Sequence, residues 1–121
     1  PSMEENAEGF VLTADLMSWF WNHYADTGDR ADPLASPLHA DSRADLPPAV
    51  IVTAEFDPLR DEGEAYADAL EAAGVEVHRH RARGHLHTTI HAVGVIISGA
   101  PERQAIAEQI RALFARRTAH A

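Results

Sequence analysis

The stretch Val50–Gly74, VIVTAEFDPLRDEGEAYADALEAAG, passes from a continuously apolar segment into an acidic residue followed by proline. The run AVIVTAEF (residues 49–56) is β-branched in its centre, the composition of a strand buried on both faces of a parallel sheet. A helix is predicted from near Pro58 to Ala73, with Gly74 suited to the left-handed position after its last turn. Leu59, Gly63, Tyr66, Leu70 and Ala73 form its inward stripe, where a glycine lets the helix approach the sheet closely. Asp57 stands at the junction with two roles open to it: a helix cap, or a reactive carboxylate at the end of a strand. Asp61 and Glu62 are first-turn acids that suit the helix dipole, and bracing of the Asp57 loop is a second use for them.

The next segment, VEVHRHRA (75–82), alternates Val75, Val77, Arg79 and Arg81 against Glu76, His78 and His80, as a strand with a polar surface at a sheet edge does. Strand, helix, strand is a βαβ unit, parallel and right-handed, so the fold class is α/β with flanking helices. Both strands then finish on the same side, with Asp57 just past the first and RARGHLHTT (81–89) just past the second. Open α/β sheets bind ligands at that rim, where a carboxylate from one loop and a histidine from the other can meet.

Around this unit the elements are simpler. Thr13 is the expected N-cap of a helix over ADLMSWFWNHY (14–24), with Leu16, Met17, Phe20, Trp21 and Tyr24 at helical spacing. The aromatic stripe is read as core, with a substrate wall as the second reading. Repeated Pro, Asp and Ser make 26–48 an ordered loop with short turns. TTIHAVGVIISG (88–99) is read as a short helix on the spacing of Ile90, Val93 and Ile97, although its β-branched residues also suit a strand. Pro101 suits the first turn of a last helix with Ile106, Ile110, Leu113 and Phe114 on its apolar face and a basic end, RALFARR (111–117). The chain therefore divides into a connecting helix and ordered loop (1–48) and a βαβα part (49–121).

With 121 residues, 45% apolar and 24% charged, the composition is that of a soluble globular domain. A formal charge of −9 disfavours nucleic acid and anionic membrane surfaces and favours small molecules or proteins as partners. No cysteine is present, which excludes a disulfide scaffold, a thiolate nucleophile and a cysteine zinc site, and agrees with a cytoplasmic location. No apolar run approaches membrane-spanning length, and the opening PSMEENAEGF lacks the order of a signal peptide and reads like the middle of a longer protein.

The segment LPPAVIVTAEFDPLRDEGEAYADALEAAGVEVHRHRARGHLH (46–87) resembles the C-terminal part of the bacterial hormone-sensitive-lipase-like (family IV) carboxylesterases, a branch of the α/β-hydrolase fold. GFVLTADLMSWFWNHY and DRADPLASPL resemble the segment joining that family's central strands to this region, so the likeness covers nearly the whole chain; DPLRDEG is its most specific element. The resemblance implies a Ser-His-Asp triad with Asp57 as the acid and His87 as the base, and His85 as a nearby competitor for the base. It implies no cofactor. The family's usual Gly-x-x-His-Gly-Phe context reads Gly84, His85, Leu86, His87, Thr88, Thr89 here, so threonines stand at the Gly-Phe positions. Neither a G-x-S-x-G elbow nor an HGGG-type loop occurs among the 121 residues, and none of the five serines lies on a strand-to-helix elbow. The expectation is a chain that supplies acid and base but hydrolyses no ester alone.

Two other classes of function compete. His78 with His80, and His87 with His91, suggest a transition-metal site, although no carboxylate completes an obvious ligand set. The open edges of AVIVTAEF and VEVHRHR suggest a non-catalytic module, and homo-oligomerisation through those strand edges is expected.

Overall fold

The computed structural model describes residues 1–92 and 94–118, the side chains of 117 and 118 excepted. Six regular elements follow one another: α1 (Ser2–Glu5), α2 (Ala14–Tyr24), β1 (Ala49–Phe56), α3 (Arg60–Ala72), β2 (Val77–Leu86) and α4 (Gly99–Thr118). Single 3₁₀ turns at Thr27–Asp29, Pro37–His39 and Thr89–His91 punctuate the connections. The two turns within 26–48 make that segment an ordered loop, as its composition predicts. No helix among the described residues is long and apolar enough to cross a membrane.

β1 and β2 are parallel neighbours joined by α3, so the predicted βαβ unit is the centre of the structure. Ala49 lies opposite Val77 and the register runs evenly to Ala54 opposite Ala82. It then breaks: Phe56 lies opposite Leu86, so Glu55 alone on β1 spans the same interval as Arg83, Gly84 and His85 on β2. Gly84, at φ 73, absorbs the extra residues, which is a conformation that a side chain would disfavour. The second strand accordingly extends to Leu86, beyond the predicted end at residue 82.

α3 packs on β1 through Ala67 and Leu70, both buried, and Gly63 makes the predicted close approach. A Cβ built on Gly63 would stand 3.0 Å from the Thr53 methyl. Ala67 is the member of the inward face that the spacing argument did not include. Gly74, at φ 82, ends the helix as predicted, and the Val75 N–H reaches back to the Leu70 carbonyl at 3.0 Å. Full burial of Leu70 is worth about 2 kcal/mol.

Arg79, His80 and Arg81 of β2 pair with carboxylates of the flanking helices, contacts that the reading of a polar sheet edge does not include. Arg79 pairs with Asp68 and Glu71 of α3, each at 2.6 Å, and Arg81 Nε donates to Glu64 at 2.7 Å. On the other face, part-buried His80 pairs with Glu102 of α4. Water screens exposed ion pairs of this kind, so their main effect is to orient the crossover.

Three further expectations are corrected. β1 is not buried on both faces: Ala54 is buried, but Val52 and Phe56 are more than a third exposed, because β2 is its single strand neighbour among the described residues. The helix expected over 88–99 is one 3₁₀ turn, since Thr88 is left-handed and Gly94 has φ 85, both incompatible with a continuing helix; Val95 and Ile97 are exposed and Val93 lies outside the described residues. The aromatic stripe of α2 is not core, as none of its residues is buried, although Thr13 caps it through the Leu16 N–H at 3.1 Å as predicted. α4 holds Pro101 in its first turn, but of its expected apolar face Ile110 and Phe114 are exposed, and the side chain of Arg117 lies outside the described residues.

Candidate active site

Asp57 leaves β1 at its carboxyl end and enters the turn that starts α3. Its Oδ1 accepts the Leu59 N–H at 2.9 Å and its carbonyl accepts the Arg60 N–H at 3.1 Å, so the carboxylate closes the turn before the helix. Its Oδ2 lies 2.8 Å from His87 Nδ1. The two uses that the residues leave open for Asp57 are thus divided between its two oxygens. One shapes the turn; the other holds an imidazole.

His87 reaches that oxygen because β2 ends at Leu86. In a continuing strand His85 and His87 would share a face. Here the chain instead turns at Thr88, a non-glycine residue at φ 59 and ψ −3. Thr89 secures the turn, its Oγ1 accepting the Leu86 N–H at 3.0 Å and donating to the Leu86 carbonyl at 2.9 Å. His85 is 3% exposed with Nδ1 against Thr89 Oγ1 at 3.2 Å, so it is His87, not His85, that meets Asp57. Glu55 braces the register break from below, its Oε2 accepting the Gly84 N–H at 2.7 Å.

The pair is partly shielded from solvent. The Asp57 side chain is 10% exposed and that of His87 32%. Two cavities meet there, both lined by Val52, Thr53, Asp57 and His87. The larger, about 420 Å³, is walled by Met17 and Trp21 of α2 and by Pro37 and Leu38. The smaller, about 240 Å³, is walled by Leu86, Ile90 and Ile106. Such apolar walls around a few polar groups suit a small, largely apolar ligand. None of the five serines lines either cavity. A cavity of about 560 Å³ between the end of α2 and the following loop contains Asp26, Asp29 and Asp32 and does not touch the pair.

The floor of the Asp57 turn is a polar network that sequence reasoning missed. Ser2 Oγ donates to the Pro58 carbonyl at 2.8 Å and accepts the Asp61 N–H at 3.0 Å, while the Ser2 N–H donates to Asp61 Oδ2 at 2.7 Å. The Asn6 amide donates to the Asp57 carbonyl at 3.4 Å and to that of Ser2 at 3.2 Å. Arg60 ties Glu5, Asp61 and the Glu55 carbonyl together at 2.7, 2.9 and 2.9 Å. The Ser2 N–H, and secondarily Arg60, hold the Asp61 carboxyl below the ordinary aspartate range. Asp61 therefore takes up the bracing role that was its second reading.

The metal reading finds no support in the geometry. His78 bonds Glu76 at 2.8 Å, His80 bonds Glu102 and His87 bonds Asp57, and among the described residues no group of three His, Asp or Glu side chains is placed to hold an ion.

The chain resembles known proteins throughout this region. A family model described as the α/β hydrolase fold matches residues 1–91. The carboxylic ester hydrolase LipN of Mycobacterium tuberculosis is 51% identical over 78 residues, 63% of this chain and 21% of that protein. Ethyl acetate hydrolase of Pseudomonas putida is 44% identical over 78 residues, 64% of this chain and 24% of that protein. Among solved structures, a thermophilic carboxylesterase cloned from a metagenomic library superposes with a TM-score of 0.85 at 38% identity, over 93% of this chain and 39% of that one. An esterase from Pyrobaculum calidifontis gives 0.80 at 38% identity over 93% and 36%. The chain thus spans about a fifth to a third of the length of the curated relatives it matches, from 21% to 31%.

Proposed function

The chain belongs to the α/β-hydrolase fold family, its relatives are carboxylesterases, and we propose that it is the acid-and-base portion of a serine carboxylesterase. The observation that carries this reading is the 2.8 Å contact of Asp57 Oδ2 with His87 Nδ1 at the end of two parallel strands. Asp57 accepts a hydrogen bond from the Nδ1–H group and so leaves Nε2 as the unprotonated nitrogen. Nε2 then takes the proton of a serine hydroxyl as its oxygen attacks the ester carbonyl, and Asp57 stabilises the imidazolium. That proton passes to the departing alcohol, leaving an acyl-serine. Water then gives a proton to the same nitrogen as its oxygen attacks the acyl carbon, and return of that proton to the serine oxygen breaks the acyl bond and releases the carboxylic acid.

The serine and the groups that stabilise the oxyanion come from outside these 121 residues. Ser18, Ser36 and Ser42 are engaged in local hydrogen bonds, and the Ser2 hydroxyl is bonded to the Pro58 carbonyl and the Asp61 N–H, not to His87. Small neutral esters fit the apolar cavities, and the outer edges of β1 and β2, which lack a strand partner among the described residues, are the surfaces for association with further strands or a second copy.

The 121-residue chain alone is expected to show no turnover of a nitrophenyl ester and no labelling by a serine-directed organophosphate. The longer protein encoded with it is expected to do both, and D57N or H87A in that protein to lower kcat by about 10³-fold or more. Organophosphate-sensitive turnover by the chain alone, or full activity of H87A, would overturn the reading.

A further inference from the structure

Among the described residues the buried polar or charged side chains are Ser2, Asn6, Asp57 and His85. Three of these four belong to one network, and that network contacts the main chain on both sides of the Asp57–Pro58 peptide bond. We propose that Ser2 and Asn6 are positioning residues for the Asp57–His87 pair, acting through the main chain of residues 57–58 to fix the direction in which Asp57 Oδ2 meets His87 Nδ1. The purpose assigned to them rests on the reading of that pair as acid and base.

The carbonyl of Asp57 is held by the Asn6 amide and the Arg60 N–H, and the carbonyl of Pro58 by the Ser2 hydroxyl. Pro58, fully buried, fixes its own φ. With both peptide planes set, the free variable left to Asp57 is its side-chain rotamer, which the Leu59 N–H holds through Oδ1. Every torsion between the network and Oδ2 is thereby constrained. A four-residue helix such as α1 has no stability of its own, so its place in the fold depends on these contacts. Burying a serine at 2% and an asparagine at 3% exposure is costly unless their polar atoms find partners, and here they do so on the Asp57 turn. A purely structural tether needs no buried amide on the Asp57 carbonyl; the exposed Glu5–Arg60 pair already ties the same segment to α3.

The test is the exchange rate of the His87 Nδ1 proton, read by nitrogen-15 NMR on the 121-residue chain. Relative to wild type, S2A and N6A are each expected to speed that exchange at least tenfold. E5Q, which loosens the segment without touching residues 57 and 58, is expected to stay within twofold. Exchange in S2A and N6A within twofold of wild type overturns the proposal, as does an equal effect of E5Q. If D57N itself matches wild type, it is the acid–base reading that fails. Amide fingerprints of β1 and β2 report folding: should S2A lose them, N6A decides, and loss in both variants shows that the residues hold the fold and not the pair, against the proposal.

Discussion

At the sheet rim Ser2, Asn6 and Asp57 are 2%, 3% and 7% exposed and all are hydrogen-bonded, whereas α2, which carries both tryptophans, Phe20 and Tyr24, buries none of its residues. Polar groups are inside in one region and apolar groups outside in the other, the reverse of what composition alone suggests. The rim's contacts are directional, and both partners of each lie within these residues. The stripe of α2 needs an apolar partner, and of its residues Met17 and Trp21 wall the cavity at His87. A hydrophobic stripe states which side chains share a face. It does not state that anything covers them.

That contrast predicts unequal responses to truncation. L70A removes a side chain 2% exposed at the α3–β1 contact and should lower unfolding stability by about 3 kcal/mol, whereas Y24A, at a residue 69% exposed, should stay within about 0.5 kcal/mol. Urea denaturation of both variants reads the difference, and comparable losses would break the comparison. A smaller effect is expected within the rim itself. Thr88 is a β-branched residue in the left-handed region, so T88G should raise stability by about 1 kcal/mol, the relief of strain exceeding the added chain entropy. An unchanged or lower midpoint in thermal and urea melts would show that the turn is unstrained.

The smallest effect is electrostatic. Asp61 is held below its ordinary range first by the Ser2 N–H and then by Arg60, and Glu76 first by His78 and then by Arg116. A carboxyl whose folded value is depressed contributes stability above its unfolded value, about 3.9 for Asp and 4.3 for Glu, and loses it as pH falls through the lower folded value. These two groups therefore leave stability level from pH 7 to about 5 and reduce it below about 4. D61N should flatten part of that acid-side fall in urea midpoints measured across the range, and an unaltered slope would contradict the assignment.

Much of the fold is legible in the residues because local rules and topology agree there. The apolar run 49–56, bounded by Pro48 and Asp57, coincides with β1 at both ends, and Gly74 ends α3 in the conformation that only glycine adopts freely. The Asp57–His87 contact follows from the βαβ crossover together with the DPLRDEG resemblance, since the crossover brings both loops to one rim. What resists reading is non-local or exceptional. The break at Gly84 depends on Glu55 across the sheet, the end of β2 on Thr88 accepting a left-handed turn, and the Ser2–Asn6 network on contacts spanning 51 to 59 residues, for which no periodicity exists. His78 and His80 read as edge residues until their glutamates, one of them on α4, are in place.

The division of labour between the two oxygens of Asp57 is tested most directly by nitrogen-15 NMR of the His87 ring in wild type and D57N. Wild type is predicted to carry its proton on Nδ1, protected from solvent. D57N should move it to Nε2, because an amide in place of Oδ2 offers Nδ1 a donor. The same protected Nδ1 proton in both proteins would mean that Asp57 does not hold His87, and would contradict the account.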